Sequence, residues 1–195
     1  MDLFWAISQG TGVSLATGIR PFLPPLLVGL LARANLGVDF EGSDYEFLES
    51  IPFLAALVLF TIVGVASERL PRRRALELSL LVVAIVIGAL LFAGSLGEES
   101  YDGTAGLAAG AACALLAYAA VRTFLGRARS RLAARGEAES AGYLNLYADG
   151  AALLLAALAV LLPPVSYIPL AFCAWVLMES RRRSARKYEG LRVLR

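Results

Sequence analysis

Arg20 is a charged residue inside an apolar stretch, residues 10–33. Its position makes it the strongest candidate in the sequence for a functional residue. Pro21 follows it directly, and Pro24 and Pro25 come soon after. A charge at membrane depth is costly, so an intramembrane arginine usually serves a ligand or pairs within its own chain. Proline lacks a backbone N–H and disturbs the preceding helical turn. The pattern predicts a membrane helix that is broken at Arg20 and Pro21.

The predicted break has the chemistry of an anion site. Pro21 suits the first turn of a second half-helix, whose free N–H groups and partial positive charge attract anions. The guanidinium of Arg20 adds a planar fork of donors that matches a phosphate or a carboxylate. We therefore predict that Arg20, Pro21 and Gly18 bind an anionic small molecule or a lipid phosphate. The alternative is structural, with Arg20 paired internally to Asp149 or Glu68.

Three further polar residues, Glu68, Asn145 and Asp149, lie near the ends of apolar runs and are candidates for coupling to a proton or cation. The alternative is helix capping or charge pairing, since a carboxylate such as Asp149 favours a helix N-terminus. The sequence contains no histidine, and its two cysteines have no metal-site spacing. We predict no enzyme, no metal and no cofactor; a catalytic alternative would have to use Arg20, Glu68 and Asp149.

The elements that must position these residues are membrane helices. The chain is 58% hydrophobic with a mean hydropathy of +0.69, and the excess lies in long runs. A helix crosses a bilayer in about 20 residues, so we predict an all-α polytopic bundle of about six segments. One membrane domain covers residues 1–195, with halves 1–97 and 103–179. The apolar run 149–162 is short and ends at two prolines, so 149–178 forms either two short spans or a re-entrant hairpin.

The charge of the loops alternates in sign along the chain. Loops 34–50 and 98–102 are acidic, whereas 69–74, 122–135 and the tail 180–195 are basic. By the positive-inside rule the basic loops and the C-terminus face the cytoplasm, and the N-terminus joins them if the first segment crosses once. The tail either binds lipid headgroups or acts only as a topology signal. Its candidate headgroup-binding residues are Arg181, Arg182, Arg183, Arg186 and Lys187. No separate basic domain indicates nucleic-acid binding, so the expected partners are membrane lipids.

Two stretches of small residues resemble each other: GTGVSLATG at 10–18 and GTAGLAAG at 103–110. They lie in the first and fourth segments, which would run in opposite directions, and this predicts a 3+3 inverted repeat. Secondary transporters use such repeats, with a site near the midplane. The second stretch predicts a helix at the centre of the bundle, and its pair Gly106 and Gly110 also fits a helix-dimerisation motif, so a homo-oligomer is an alternative.

The stretch GVSLATGIRPFLPPLLVGLLAR and the ending RKYEGLRVLR resemble an uncharacterised family of bacterial membrane proteins catalogued as domain of unknown function 4126. Members of that family carry an acidic residue before a proline after the second span, where Glu68 and Pro71 stand here. They also carry an Asn and an acidic residue at the fifth segment, matching Asn145 and Asp149, although Leu146 replaces the expected proline. The resemblance covers nearly the whole chain. It implies a bacterial inner-membrane location and no established activity.

Together these features predict an integral membrane protein with a polar midplane site around Arg20. Its predicted role is that of a small transporter, or of a translocase for a lipid or an anion. The alternative is a non-transporting scaffold or assembly factor whose basic tail binds lipid or a partner.

Overall fold

A computed structural model of the chain describes residues 3–67, 74–98, 103–134 and 141–192. Within these residues the chain forms seven α-helices and no strand, so the predicted all-α bundle is confirmed. The helices are α1 (Leu3–Ile19), α2 (Leu23–Arg33), α3 (Ile51–Ser67), α4 (Arg74–Gly97), α5 (Gly103–Ala134), α6 (Ala141–Leu161) and α7 (Tyr167–Arg192). Short 3-10 helices lie at Glu46–Glu49 and Pro163–Ser166.

Three of the described helices are long and apolar enough to cross a membrane: Glu77–Gly97, Gly103–Leu132 and Tyr143–Leu161. The third belongs to α6, which the sequence interpretation started at residue 149 and judged too short. The helix in fact begins at Ala141, so its length meets the requirement for a crossing. Two shorter helical stretches, Leu23–Arg33 and Ile51–Gly64, are also apolar.

The predicted break in the first segment is confirmed, because α1 ends at Ile19 and α2 begins at Leu23. Its detail differs from the prediction. Pro21 lies in the bend between the helices, and Pro24 occupies the early turn of α2 that was expected for Pro21. A proline is tolerated there because the first N–H groups of a helix have no partner within it.

The chain reverses direction at this break. The Gln9 side-chain amide donates to the Gly37 carbonyl at 3.1 Å, so the stretch after α2 returns to the level of early α1. The opposite end of α1 places Arg20 beside Asn145, near the start of α6. We call the end of the bundle with loop 34–50 the acidic end, and the end with Arg20, Arg122 and the start of α6 the basic end.

This hairpin changes the predicted course of the first segment. The segment does not cross once, so the condition for placing the N-terminus with the basic loops is not met. The Ser8 hydroxyl donates to the hydroxyl of Tyr167 at 3.1 Å, which puts early α1 beside the start of α7. The described part of the chain therefore starts at the acidic end.

The helices that carry the two similar small-residue stretches, α1 and α5, run in the same direction. Ala6 lies in a cluster with Phe92 and Ala109, near the acidic end. Gly18, at the other end of α1, lies against Ala114, farther along α5. The first and fourth segments, whose opposite directions supported the inverted-repeat prediction, are therefore parallel. The cause is the hairpin, which adds one reversal to the first half of the chain.

Helix α1 lies at the centre of the bundle, where the sequence predicted α5. Every residue from Ser8 to Gly18 is buried, and α1 packs against α4, α5, α6 and α7. Its small side chains allow this approach: a Cβ on Gly18 would lie 2.2 Å from the Ala114 carbonyl oxygen. Close backbone contact of this kind supplies van der Waals packing between helices in lipid.

The glycine pair of α5 is used inside the chain. A Cβ on Gly110 would lie 2.5 Å from the Gly88 carbonyl oxygen, and one on Gly106 would lie 2.9 Å from the Ala93 Cα. Both glycines therefore face α4 of the same molecule. The face that suggested dimerisation is occupied, and a homo-oligomer would need another surface.

The acidic loop between α2 and α3 is folded into the core. Phe40 and Leu48 are completely buried, and both side chains reach Gly94 of α4. Burial raises the pKa of the Glu49 carboxyl, and the neighbouring carboxylates of Asp39, Glu41 and Glu46 raise it further, while a backbone hydrogen bond to Phe40 acts in the opposite direction. The loop thus closes the acidic end, with Phe40 and Leu48 pointing into the core.

Candidate functional site at the basic end

Arg20 is the centre of a polar cluster that joins three helices. Its Nε forms an ion pair with Oδ1 of Asp149, and its Nη2 donates to the Asn145 carbonyl at 3.1 Å. From α5, the Nη2 of Arg129 donates to Oδ1 of Asn145 at 2.7 Å. Asn145 therefore bridges two arginines. The structure pairs Arg20 internally with Asp149, which is the structural alternative that the sequence left open.

The ion pair is only partly withdrawn from the surroundings. The side chains of Arg20 and Asp149 are 21% and 29% exposed. Asp149 lies in the third turn of α6 because the helix begins at Ala141, so its carboxylate does not cap the helix as the sequence suggested. The polar residues before Asp149 remain helical, and Asn145 there is held by arginines of neighbouring elements.

The Arg20 cluster lies at the tip of the α1–α2 hairpin, on the side of the basic end, and a polar midplane site stays a prediction. The position follows from the hairpin, because a break between two antiparallel helices falls at its tip, not halfway along a single crossing. Coupling to a proton or cation by Asn145 and Asp149 stays a prediction, as does anion binding by Arg20.

The N-terminus of α2 is poorly suited to the predicted anion site. Pro24 and Pro25 have no backbone N–H to offer, and the N–H of Leu26 donates to the Phe22 carbonyl at 3.1 Å. The free N–H groups that normally attract anions to a helix start are therefore few. Donors for an anion at this end would have to come from arginine side chains.

A small cavity of about 140 Å³, lined by both apolar and charged side chains, lies beside the cluster, between α1, α4 and α5. Arg122 crosses it, with Nη2 2.7 Å from Oε2 of Glu77 and Nη1 3.3 Å from the Tyr118 hydroxyl. Gly18 and Arg129 also line the cavity. Its size suits a small group, and its charged residues already have partners: Arg122 pairs with Glu77, and Arg129 donates to Asn145.

An apolar groove of about 500 Å³ lies on another side of the bundle, between α5, α6 and α7. It forms because α6 packs mainly on α1 and α2, whereas α7 packs mainly on α5. Phe124, Tyr147 and Phe172 on its walls are 53%, 75% and 51% exposed, so the groove is open to the surroundings. The groove is further lined by Ile19, Ala120, Val121, Leu125, Leu144, Ala148, Ala151, Leu155, Pro169, Cys173 and Val176.

A basic pocket of about 240 Å³ adjoins this groove, and the two share Phe124, Phe172 and Val176. The charged residues of the pocket come from α5 and α7. They are Arg127, Arg131, Glu179 and Arg183. The groove and the basic pocket therefore form one continuous surface that changes from apolar to charged towards the basic end.

A family model described as Domain of unknown function (DUF4126) matches residues 7–183. The chain therefore belongs to the DUF4126 family. The match extends from α1 into α7 of this DUF4126 protein, so the resemblance noted in the sequence is confirmed. No curated protein and no solved structure matches the chain.

The sequence interpretation missed the arginines of α5 because it treated 122–135 as a loop. In this DUF4126 protein the helix continues to Ala134. Residues four apart share a helical face, so Arg127 and Arg131 meet the groove side, while Arg122 and Arg129 point to the small cavity. The spacing was readable in the sequence once the segment was taken as helical.

The remaining predicted residues have separate positions. Glu68 lies outside the described residues. The basic tail continues α7 as a helix to Arg192. In that helix Arg181, Arg182 and Arg183 are exposed, whereas the side chains of Arg186 and Lys187 are outside the description. Among the described residues, no group of three or more His, Cys, Asp or Glu side chains could hold a metal ion.

Proposed function

We propose that this DUF4126 protein is an integral membrane lipid-handling protein, a translocase that takes a lipid from the bilayer into the groove between α5, α6 and α7. The observation that carries the proposal is the groove itself, about 500 Å³ in volume and apolar on its walls. Ligand pockets typically measure roughly 300–1,000 Å³ and are mostly apolar. A groove with these walls, open on the outside of a membrane bundle, fits hydrocarbon chains better than a soluble ligand.

The proposed orientation places the basic end in the cytoplasm of a bacterial inner membrane, because membrane proteins carry excess Lys and Arg on cytoplasmic loops. The acidic end, and with it the start of α1, then faces outward. The lipid in the groove would have its polar end towards the basic, cytoplasmic side. Binding and movement of a lipid require no catalysis, and the proposed role is not enzymatic.

In this proposal the Arg20–Asp149 ion pair holds α6 against the end of α1 beside the groove. Ile19 and Ala148, each next in sequence to one member of the pair, line the groove wall. The ion pair ties the tip of the α1–α2 hairpin to α6. Any widening between α6 and the centre of the bundle would have to break it, so Asp149 is the natural residue to couple such a change to a proton.

The proposal is tested by lipid movement in proteoliposomes. A fluorescent phospholipid that is quenched from outside reports transfer between leaflets. Ala151→Trp fills the groove from an exposed position on α6, and we expect it to remove most of the transfer. Ala55→Trp, on the exposed side of α3, is the matched control and should leave transfer unchanged. Equal transfer by the two variants, or none by the unmodified protein, would contradict the proposal.

A second candidate role, membrane scaffold or assembly factor, is favoured by the helical extensions of α5 and α7. Both helices continue beyond their apolar parts, to Ala134 and Arg192, and they pack against each other. Their arginines form a basic surface for anionic headgroups or an acidic partner. Deleting residues 184–195, which keeps Arg183 of the basic pocket, separates the two roles: a translocase should retain lipid transfer, whereas a scaffold should lose its membrane or partner association.

A further inference from the structure

We infer that the groove takes an anionic phospholipid, and that its phosphate binds between Arg127 and Arg131 in the adjoining basic pocket. The inference rests on the proposed function in treating the groove as the place of the acyl chains. It adds the class of lipid and the residues that select it.

The first support is continuity between the apolar and the charged parts of the surface. Phe124, Phe172 and Val176 line both the groove and the basic pocket, so the two lie side by side. One amphiphile can therefore place its chains against the groove and its headgroup in the pocket of about 240 Å³. A soluble anion would gain nothing from the apolar part.

The second support is the balance of charge in the pocket. Glu179 accepts a hydrogen bond of 2.7 Å from Nε of Arg183, so this carboxylate is matched by an arginine of its own helix. Among the described residues neither Arg127 nor Arg131 has a carboxylate within ion-pair distance. Within the described lining of the pocket, two positive charges thus remain for a ligand. Guanidinium groups match phosphate oxygens with paired hydrogen bonds, which a carbonyl or hydroxyl headgroup cannot equal.

The third support is the depth of the pocket. Trp175 lines it, is 61% exposed and lies against Phe172, with ring centroids 6.2 Å apart. Exposed tryptophan is typical of the membrane–water interface, where phosphates lie. From there the groove runs along α7 to Pro169, away from the basic end. The arginines therefore stand at headgroup level and the apolar lining at acyl-chain level.

The experiment measures equilibrium lipid binding to the full chain in detergent micelles by native mass spectrometry. The probes are phosphatidylglycerol and a diacylglycerol with the same chains but no phosphate. The test variant is Arg127→Gln/Arg131→Gln. Its control is Arg181→Gln/Arg182→Gln, which removes the same charge from exposed positions on α7 that do not line the pocket. Because these two arginines are also candidate headgroup-binding residues of the tail, the control tests the tail as the rival site for the phosphate. Helix content by circular dichroism checks that each variant is folded.

We expect the test variant to bind phosphatidylglycerol at least about tenfold more weakly, since it loses charge-assisted bonds to phosphate. The control should stay within about twofold, and the unmodified protein should prefer phosphatidylglycerol over diacylglycerol at least about tenfold. Equal weakening in the two double variants would overturn the inference, because general attraction of charge would explain it. Full competition by inorganic phosphate would also overturn it, by showing that the lipid chains contribute nothing.

The Ala151→Trp variant distinguishes failure of the inference from failure of the proposed function. If Ala151→Trp removes phosphatidylglycerol binding and the Arg127→Gln/Arg131→Gln variant retains it, the groove is right and the phosphate site is wrong. If only the arginine variant loses binding, the phosphate site is right and the groove does not hold the chains.

Discussion

Helices α1 and α3 differ in the size and polarity of their residues and in how deeply they are buried. Helix α1 is rich in Gly, Ser and Thr, and its residues from Ser8 to Gly18 are all buried. Helix α3 is built of large apolar residues, yet Leu59 and Ile62 are 59% and 61% exposed. A water-soluble protein would place them the other way round. The inversion shows what lipid does to packing: hydrocarbon solvates leucine as well as a protein core does, so close contact between small residues decides which helix is central.

The polar side chains of α1 are compatible with this central place because they have partners there. The Ser14 hydroxyl donates to the Gly88 carbonyl at 2.7 Å, and that of Thr17 donates to the Val13 carbonyl at 2.9 Å. Such hydrogen bonds give partners to hydroxyls that are buried away from water. On the described part of the chain, the buried hydroxyl of Ser166 has no hydrogen-bond partner. It is packed against Gly12 of α1, where a Cβ would lie 2.1 Å from it.

The largest expected effect comes from making the same leucine-to-alanine substitution in α1 and in α3. Leu15 of α1 is completely buried, so Leu15→Ala should lower the free energy of unfolding by about 2–5 kcal/mol, through lost contacts and a cavity. Leu59→Ala on the exposed side of α3 should change it by less than about 0.5 kcal/mol. Denaturation in mixed micelles, followed by circular dichroism, measures both. Similar costs at the two positions would mean that α3 is covered by something other than lipid.

A second pair of glycine-to-alanine variants should change the stability of the bundle in opposite directions. Gly18→Ala forces a methyl group against the Ala114 carbonyl and should destabilise the bundle by about 1–3 kcal/mol. Gly126→Ala has nothing within 4 Å of the new Cβ and should stabilise α5 by up to about 1 kcal/mol, since alanine is the better helix former. Thermal unfolding in detergent decides. A gain in stability for both variants would show that α1 and α5 are not in close contact at Gly18.

The smallest expected effect concerns the end of α1. A double-mutant cycle with Arg20→Met and Asp149→Leu should give a coupling of about 1–2 kcal/mol, because the pair is partly buried. The matched cycle, Arg122→Met with Glu77→Leu, involves an arginine side chain that is 61% exposed and should give about 0.2–1 kcal/mol. If the stability effects of Arg20→Met and Asp149→Leu are additive, the ion pair has no part in the proposed mechanism.

Local signals in the sequence were sufficient for several features. The position of the helix break followed from Arg20 and the prolines, since backbone chemistry is local. The hydrophobic runs predicted the all-helical bundle for the same kind of reason. Three members of the candidate site, Arg20, Asn145 and Asp149, were predictable, but the fourth, Arg129, was missed, and the form of the site was not predictable. Whether Arg20 meets a ligand or a carboxylate depends on which helix lies opposite, and no local pattern contains that information.

Long-range packing decided the rest. The reversal at Pro21, the parallel course of α1 and α5, and the groove beside α6 each depend on contacts between residues far apart in the chain. The hydropathy of a membrane helix does not show which other helices it contacts. Hydropathy therefore could not distinguish one broken crossing from a hairpin. The sequence by itself determined that the chain is a helical membrane protein with a charged break. Only the tertiary structure placed that break at the basic end and paired its arginine, because close packing of small residues selects helix neighbours that hydrophobicity leaves open.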